Sequence, residues 1–259
     1  MVSEAMMQQV REALASLEDR EGAVVLYACE SGSRAWGFAS QDSDYDVRFI
    51  YIRPPQWYLS IYEGRDVIEY PVTKDLDVSG WDLRKALRLF RKSNPPLLEW
   101  LSSPVVYKDR DGLADQLRAL LPQYYSPRSC MYHYLSMAQG NLRDYLEGEM
   151  VWAKKYFYVL RPILACKWIE AGLGPVPMRF QVMLEQLPLE PGFKAAVYEL
   201  LERKMRGDEL ELIPRIPAIS DFITLELERL DAALLAPAEE PGVALLDELF
   251  RNFLQRVWG

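Results

Sequence analysis

Two aspartates near residue 45 have the type and spacing of a divalent-metal site. Asp44 and Asp46 are two positions apart at the start of the segment YDVRFIYI, and in an extended strand such side chains share one face, roughly 7 Å apart at the Cα atoms. Two carboxylates this close repel each other unless a cation lies between them. Their hard oxygen atoms select Mg²⁺ or Mn²⁺, which complete their coordination with water and substrate phosphate. The pair therefore indicates metal-dependent chemistry on a phosphorylated substrate.

A glycine-serine turn precedes these aspartates and suits phosphate binding. Gly32 and Ser33 follow the apolar run AVVLYACE. Backbone N–H groups and a hydroxyl at a strand end can surround phosphate oxygens, which glycine allows to approach closely. Arg34 lies in the same turn, and Arg48 alternates onto the carboxylate side of the next strand, where it can pair with an acid or contact phosphate. These residues form a candidate nucleotide site.

A third acid on a neighbouring strand would complete a two-metal site. The later segment DLDVSGW offers Asp77 between apolar neighbours, and Asp75 would share its face as the alternative. Asp42 and Ser43, which lie between the turn and the aspartate pair, are predicted to be turn residues.

The elements that must position these residues divide the chain into two parts. Ser3 caps a predicted first helix that ends at Gly22, and short helices are predicted over DLRKALRLFRK and over NPPLLEWL, which Asn94 caps. Strands are predicted over AVVLYACE, YDVRFIYI, DVIEYPV, DLDVSGW and PVVYKD. From residue 111 onward the segments have helical periodicity and are separated by prolines such as Pro122. We predict an α+β fold, with a mixed sheet flanked by helices in a catalytic domain at 1–110 and an all-helical domain at 111–259.

Composition excludes several classes of protein. The chain has 259 residues, half of them apolar, and a net charge of −8, so nucleic acid would have to bind a local basic surface. His133 is the only histidine and the three cysteines are far apart, which argues against a zinc site or a histidine-based triad. Unpaired cysteines, no signal peptide and no long apolar segment predict a cytoplasmic protein that does not enter a membrane.

The motifs together resemble those of a known enzyme superfamily. An apolar strand, Gly-Ser, two alternating aspartates that open a second strand and an aspartate on a later strand resemble the DNA polymerase β-like nucleotidyltransferases. The segments ESGSRAWGFASQDSDYDVRFIY and DLDVSGWDLRKALRLFRKSNPPLLEWL are similar to predicted nucleotidyltransferases of the RNA-repair-pathway DNA-polymerase-β family, whose genes can lie beside RNA ligases. KKYFYVLRPILACKW extends the resemblance into the helical half. The resemblance implies a polymerase-β-like core.

The resemblance also implies a reaction and roles for the site residues. Asp44 and Asp46 would bind two Mg²⁺ or Mn²⁺ ions, and Asp77 would bind the catalytic one and help to deprotonate the acceptor hydroxyl. Gly32 and Ser33 would hold the β and γ phosphates of a nucleoside triphosphate. The expected reaction moves a nucleoside monophosphate to a hydroxyl and releases pyrophosphate, with an RNA end as the favoured acceptor and an RNA ligase or other repair protein as a partner. The alternatives are transfer to a protein or a small molecule, and a non-catalytic partner-binding module such as an antitoxin or an RNA ligase accessory.

One helix face in the second half is a candidate triphosphate clamp. Lys154, Tyr158 and Arg161 fall at i, i+4 and i+7 and so share a face. Related nucleotidyltransferases clamp the triphosphate with basic residues on a helix behind the metal site, and Lys155 is the substitute for Lys154. The competing interpretation is a solvated face.

The most basic short segment of the chain is DLRKALRLFRK. A strand of nucleic acid could follow its cations. We favour the simpler interpretation, an amphipathic helix whose charges lie in water.

Overall fold

The computed structural model describes residues 2–70, 76–207, 212–236 and 241–259. The chain forms two compact units. Unit 1 comprises Met1–Ala35, Asp44–Tyr125 and Glu239–Gly259, and unit 2 comprises Trp36–Ser43 and Ser126–Ala238.

Unit 1 is built on a five-stranded mixed sheet. Its strands in chain order are β1 Val24–Glu30, β2 Tyr45–Ile52, β3 Val67–Glu69, β4 Leu76–Asp82 and β5 Val106–Asp109. They lie in the order β3-β4-β2-β1-β5, with β2 and β4 parallel and each other neighbouring pair antiparallel. Because β2 and β4 are parallel, their first residues lie at the same edge of the sheet.

Helices cover both faces of this sheet. The helices of unit 1 are α1 Glu4–Glu21, α3 Pro55–Tyr58, α4 Leu83–Arg91, α5 Pro95–Leu101, α6 Leu113–Tyr124 and α12 Ala244–Trp258, and α2 Gly32–Trp36 ends at the first residue of unit 2. On one face, Leu14 of α1 packs in a core with Val47 and Phe49. On the other face, α4, α5, α6 and α12 share a core with Ile50 and Ile52. This arrangement confirms the predicted α+β class.

The predicted helix ends of unit 1 are confirmed by their hydrogen bonds. The Ser3 hydroxyl accepts from the backbone N–H of Met6, and the Asn94 side chain accepts from Leu97. Gly22 ends α1 in the left-handed conformation. These ends depend on local contacts, which explains why the sequence predicts them.

In the part of unit 2 that the structure describes, all regular elements are helices apart from one short β-ribbon. Its helices are α7 Pro127–Tyr145, α8 Lys155–Glu170, α9 Phe180–Gln186, α10 Pro191–Arg206 and α11 Pro217–Arg229. The strands β6 Met150–Trp152 and β7 Leu212–Pro214 pair antiparallel, which the helical pattern of this half did not predict. Helix α8 is buried over most of its surface and forms the centre of the unit.

The units do not divide where the sequence pattern changes. The boundary falls after Tyr125 rather than at residue 110, because α6 packs against β1 and α5. The C-terminal α12 also belongs to unit 1, where it packs against α4. Pro122 does not end its segment, since α6 continues through it to Tyr124.

Cys29, Cys130 and Cys166 are buried and free, as predicted. Among the described residues, no helix combines the length and apolar character that crossing a membrane requires.

Candidate active site

Two carboxylates meet at the edge where β2 and β4 begin. Asp46 on β2 and Asp77 on β4 are direct neighbours in the parallel register. The guanidinium of Arg48 lies between them, with Nη2 3.1 Å from Asp46 Oδ1 and 2.7 Å from Asp77 Oδ2. Arg48 also donates to the backbone oxygen of Asp77 at 3.0 Å. The pairing of Arg48 with acids, one of its two predicted uses, is therefore present.

Asp44 lies just before β2, and its side chain is exposed. Its backbone oxygen accepts from Arg34 Nε at 3.2 Å, while the Arg34 guanidinium lies 3.8 Å from the centre of the Tyr45 ring. These two contacts fix Arg34 beside the start of β2.

Gly32 contacts the carboxylate of Asp46 directly. A Cβ atom added at Gly32 would lie 1.9 Å from Asp46 Oδ2, and Gly32 has a φ of 58°. The backbone N–H of Ser31 donates to Asp46 O at 2.8 Å, which ties the turn to β2. Only glycine fits this position without moving the aspartate. The predicted turn is the first turn of α2, in which Ser33 is partly exposed.

Glu30 is a site residue that the sequence reasoning missed. Its side chain is fully buried at the end of β1, where Oε1 accepts from the backbone N–H of Asp46 at 3.0 Å and Oε2 accepts from the Tyr107 hydroxyl. Burial raises the pKa of Glu30 to about 7, against the lowering effect of these two hydrogen bonds. An acid at the end of an otherwise apolar strand, separated from Gly32-Ser33 by one residue, was the available signal.

The electrostatics of Asp46 favour a bound cation. Burial raises the pKa of Asp46, and the charges of Asp77 and Asp44 add to the increase. Arg48 is the strongest opposing influence, and Arg34 adds to its effect. Because the pKa is raised on balance, the two arginines offset only part of the cost of ionising Asp46, and a bound cation would offset more of it.

Two of the described carboxylates of the site, rather than three, are close enough to share a cation. Within the described ranges, no three Asp, Glu, His or Cys side chains are grouped so that they could hold a metal ion. Asp46 and Asp77 supply hard oxygen atoms that already share one cation, the Arg48 guanidinium. Their chemistry fits Mg²⁺ or Mn²⁺. Asp75, the alternative third ligand, lies outside the described residues.

The predicted clamp residues lie in unit 2 and differ in environment. Lys154 is the residue before α8 rather than part of it, and Tyr158 is 37% exposed. Arg161 is buried, with Nη2 3.3 Å from the backbone oxygen of Met178 and its guanidinium 4.9 Å from the Trp36 ring centre. Arg161 is therefore not on a solvated face.

Lys155, the substitute for Lys154, is engaged with two tyrosines. Its Nζ lies 3.7 Å from the centre of the Tyr145 ring and 4.7 Å from that of Tyr158. This part of α8 is a cationic and aromatic surface within unit 2.

The segment that joins the glycine turn to the aspartate pair packs in unit 2. The Phe38 and Phe157 ring centres are 4.7 Å apart, and Gln181 Nε2 donates to Gly37 O at 2.9 Å. Ser43 accepts from Lys204 Nζ at 3.4 Å. The chain therefore leaves unit 1 after Ala35 and returns to it at Asp44.

Known proteins and a protein family are similar to nearly the whole length of this chain. Residues 6–252 match the model of a family described as the RNA repair pathway DNA polymerase beta family. The chain is 52% identical over 255 residues to the uncharacterized protein YcgL of Bacillus subtilis (strain 168), and the match covers 98% of each protein. A solved nucleotidyltransferase-like protein from Exiguobacterium sibiricum matches at 12% identity and a TM-score of 0.33, over 97% of this chain and 80% of that one.

Proposed function

The chain belongs to the RNA repair pathway DNA polymerase beta family, and from that premise we propose that it moves a nucleoside monophosphate from a nucleoside triphosphate to a hydroxyl, with an RNA end as the acceptor. One observation carries the proposal. Asp46 and Asp77 are register neighbours on parallel strands, and Gly32 lies against the same carboxylate. This arrangement supports the proposal, because a glycine turn suits phosphate and paired carboxylates suit a divalent ion.

The proposed reaction assigns a task to each residue of the site. Asp46 and Asp77, together with Asp44, which the structure does not group with them, would hold two Mg²⁺ or Mn²⁺ ions. These ions would supply charge neutralisation at the α-phosphoryl group and the leaving pyrophosphate. The Gly32 turn, with Ser33 and Arg34, would hold the β and γ phosphates.

Bond making and proton transfer follow from this placement. The acceptor oxygen bonds to the α phosphorus as the bond to the bridging oxygen breaks, and pyrophosphate leaves. The hydroxyl proton passes to the carboxylate of Asp77. Arg48, whose single positive charge is shared between both carboxylates in the structure, would pair with a phosphate oxygen of the nucleotide.

Two further residues support the site without contacting substrate. The buried Glu30 carboxylate holds the backbone of Asp46, and Tyr107 holds Glu30. In unit 2, Lys154, Tyr158 and Arg161 are proposed to clamp the triphosphate. An RNA ligase or another repair protein is the proposed partner.

A non-catalytic partner-binding module is the second candidate. The guanidinium of Arg48 between Asp46 and Asp77 favours it, because this internal cation offsets part of the repulsion between the carboxylates without a metal ion. If Asp46 and Asp77 only pair with Arg48, their role is to hold the local structure and not to catalyse a reaction.

The test is a transfer assay with a matched acidic control. Purified protein is incubated with each α-phosphate-labelled nucleoside triphosphate, Mg²⁺ or Mn²⁺ and RNA, and pyrophosphate release and labelled products are measured. Asp46→Asn and Asp77→Asn should each reduce the rate about a thousandfold, a loss of roughly 4 kcal/mol of transition-state stabilisation. Asp42→Asn, an exposed turn acid, should retain full activity.

The products separate the candidates. Labelled RNA would support RNA as the acceptor. A labelled protein or small molecule would identify that molecule as the acceptor instead. No turnover in the wild-type protein with any acceptor would support the partner-binding module.

A further inference from the structure

A groove in unit 1, away from the carboxylate edge, combines positive charge with an apolar floor. It lies between α4 and α12 and has a volume of about 450 Å³. Its lining includes Arg84, Arg88, Arg91, Lys92, Asp247 and Phe250. Four of these residues are basic and one is acidic, in a chain whose net charge is −8. The local field of the groove therefore opposes that of the whole protein.

The cations follow one line along α4. Arg84, Arg88 and Lys92 recur every four residues, so each step advances about 6 Å along the helix. Arg88 and Lys92 are exposed, and no ion pair found among the described residues involves either of them. Arg91 donates through Nε to the backbone oxygen of Pro241 at 2.8 Å, which joins α4 to the segment before α12. A row of evenly spaced cations suits successive phosphates of a flexible strand.

The floor and one end of the groove supply apolar and aromatic surface. Phe250 contacts Tyr58 edge to face at 5.0 Å between ring centres, and the Arg84 guanidinium lies 5.2 Å from the Tyr58 ring. Val243 is 49% exposed. Aromatic and apolar surface beside a cationic track is the combination that binds single-stranded nucleic acid, because unpaired bases can stack on it.

The groove is separate from the candidate active site. Helix α4 begins directly after β4, whereas Asp77 is near the first residue of that strand. The five residue-to-residue steps from Asp77 to Asp82 span about 17 Å of extended chain. An occupant of the groove therefore contacts the protein at a distance from the carboxylates.

We propose that the groove between α4 and α12 binds a single strand of RNA, with phosphates on Arg84, Arg88 and Lys92 and a base on the floor that Phe250 and Val243 form. Three of the four basic residues are arginines, which pair with phosphate through a fork of donors and also stack on rings. Paired bases in an RNA duplex could not reach the floor. The proposal rests on the proposed function in one respect, because it takes the acceptor to be RNA.

The test is RNA binding in the absence of catalysis. Fluorescence anisotropy is measured with a labelled single strand of about 12 nucleotides, in EDTA and without nucleoside triphosphate. The double variant Arg88→Ala/Lys92→Ala should bind about 25-fold more weakly near 0.1 M salt, and its plot of log affinity against log salt should be shallower by about 1.4. The control Arg251→Ala/Arg256→Ala removes two exposed cations of α12 that do not line the groove and should bind like the wild type.

A second measurement examines the floor of the groove. An abasic strand of the same length and a duplex should both bind the wild-type protein more weakly than the normal strand does. Displacement of the strand by polyglutamate at equal charge concentration would overturn the proposal, since any polyanion would then suffice. Equal affinity of the two double variants would overturn it as well.

The outcome is distinguishable from that of the proposed function. If the Asp46→Asn/Asp77→Asn variant binds RNA normally while the wild type transfers no nucleotide, the result supports RNA binding in the groove and contradicts the proposed reaction. If Arg88→Ala/Lys92→Ala transfers nucleotide to RNA with unchanged KM, the reaction stands and the groove proposal fails.

Discussion

At the scale of single residues, Asp46 is held by contacts from three directions. Gly32 lies against its carboxylate, Glu30 accepts from its backbone N–H, and Arg48 pairs with Oδ1. Burial raises the pKa of Asp46, whereas Arg48 opposes the increase. Replacing Gly32, Glu30 or Arg48 is therefore expected to shift the Asp46 carboxylate.

Gly32→Ala is expected to destabilise the protein more than Gly22→Ala does. Both glycines have left-handed backbone, with φ of 58° and 57°, but a Cβ at Gly22 would meet no atom within 4 Å. Each variant bears the roughly 1–2 kcal/mol cost of that conformation, and Gly32→Ala adds about 1–3 kcal/mol from its clash with Asp46. Chemical denaturation measures the difference, and equal losses would contradict the assigned contact.

At the scale of elements, α8 combines buried residues with exposed ones, and the proposed clamp draws on both kinds. Arg161 is buried, and its guanidinium donates to the backbone oxygen of Met178. Tyr158 is exposed by comparison, and Lys154 lies just outside the helix. The three predicted clamp residues are therefore not equivalent, although the sequence spacing treats them alike.

Arg161→Met should lower the free energy of unfolding by about 1.5–3 kcal/mol, because a buried charged donor to carbonyl oxygen is lost. Lys154→Met makes a matched change in a less buried side chain and should alter stability by no more than about 0.5 kcal/mol. If the clamp is correct, Lys154→Met nevertheless weakens binding of nucleoside triphosphate in titration calorimetry. Unchanged binding by a stable Lys154→Met protein would remove Lys154 from the clamp.

At the scale of the whole molecule, unit 1 is assembled from segments distant in sequence. Helix α12 contributes Leu246, Leu249 and Phe253 to the core that contains α4 and the sheet residues Ile50 and Ile52. The candidate RNA groove also forms between α4 and α12. The C-terminal helix is therefore part of the sheet-containing unit rather than of the helical unit beside it in the chain.

Phe253→Ala should reduce stability by about 3–5 kcal/mol, the usual cost of removing a fully buried aromatic side chain. Leu245→Ala, on the same helix but 42% exposed, should cost far less. Thermal and denaturant unfolding measure both changes. A small effect of Phe253→Ala would show that α12 does not contribute to the core of unit 1.

The sequence by itself determined the local parts of this protein. The bounds of β2, the caps at Ser3 and Asn94 and the turn at Gly32 depend on residues close in the chain, through strand alternation and local hydrogen bonds. The motif order also predicted the family to which the chain belongs. The roles of the candidate site residues, including the metal ligands, stay predictions.

Only the tertiary structure decided which distant residues meet. The parallel pairing of β2 with β4 brings Asp77 beside Asp46, and the antiparallel pairing of β1 with β2 and β5 puts the acid Glu30 near Tyr107. The sequence favoured a solvated face for the basic helix α4. Because α12 packs against α4, this helix instead forms one wall of a groove. Local periodicity fixes which face of a strand or helix is apolar, but it does not specify which element covers that face. That choice comes from the packing of the whole core, which is why local sequence patterns do not specify the groove or the partners of Glu30.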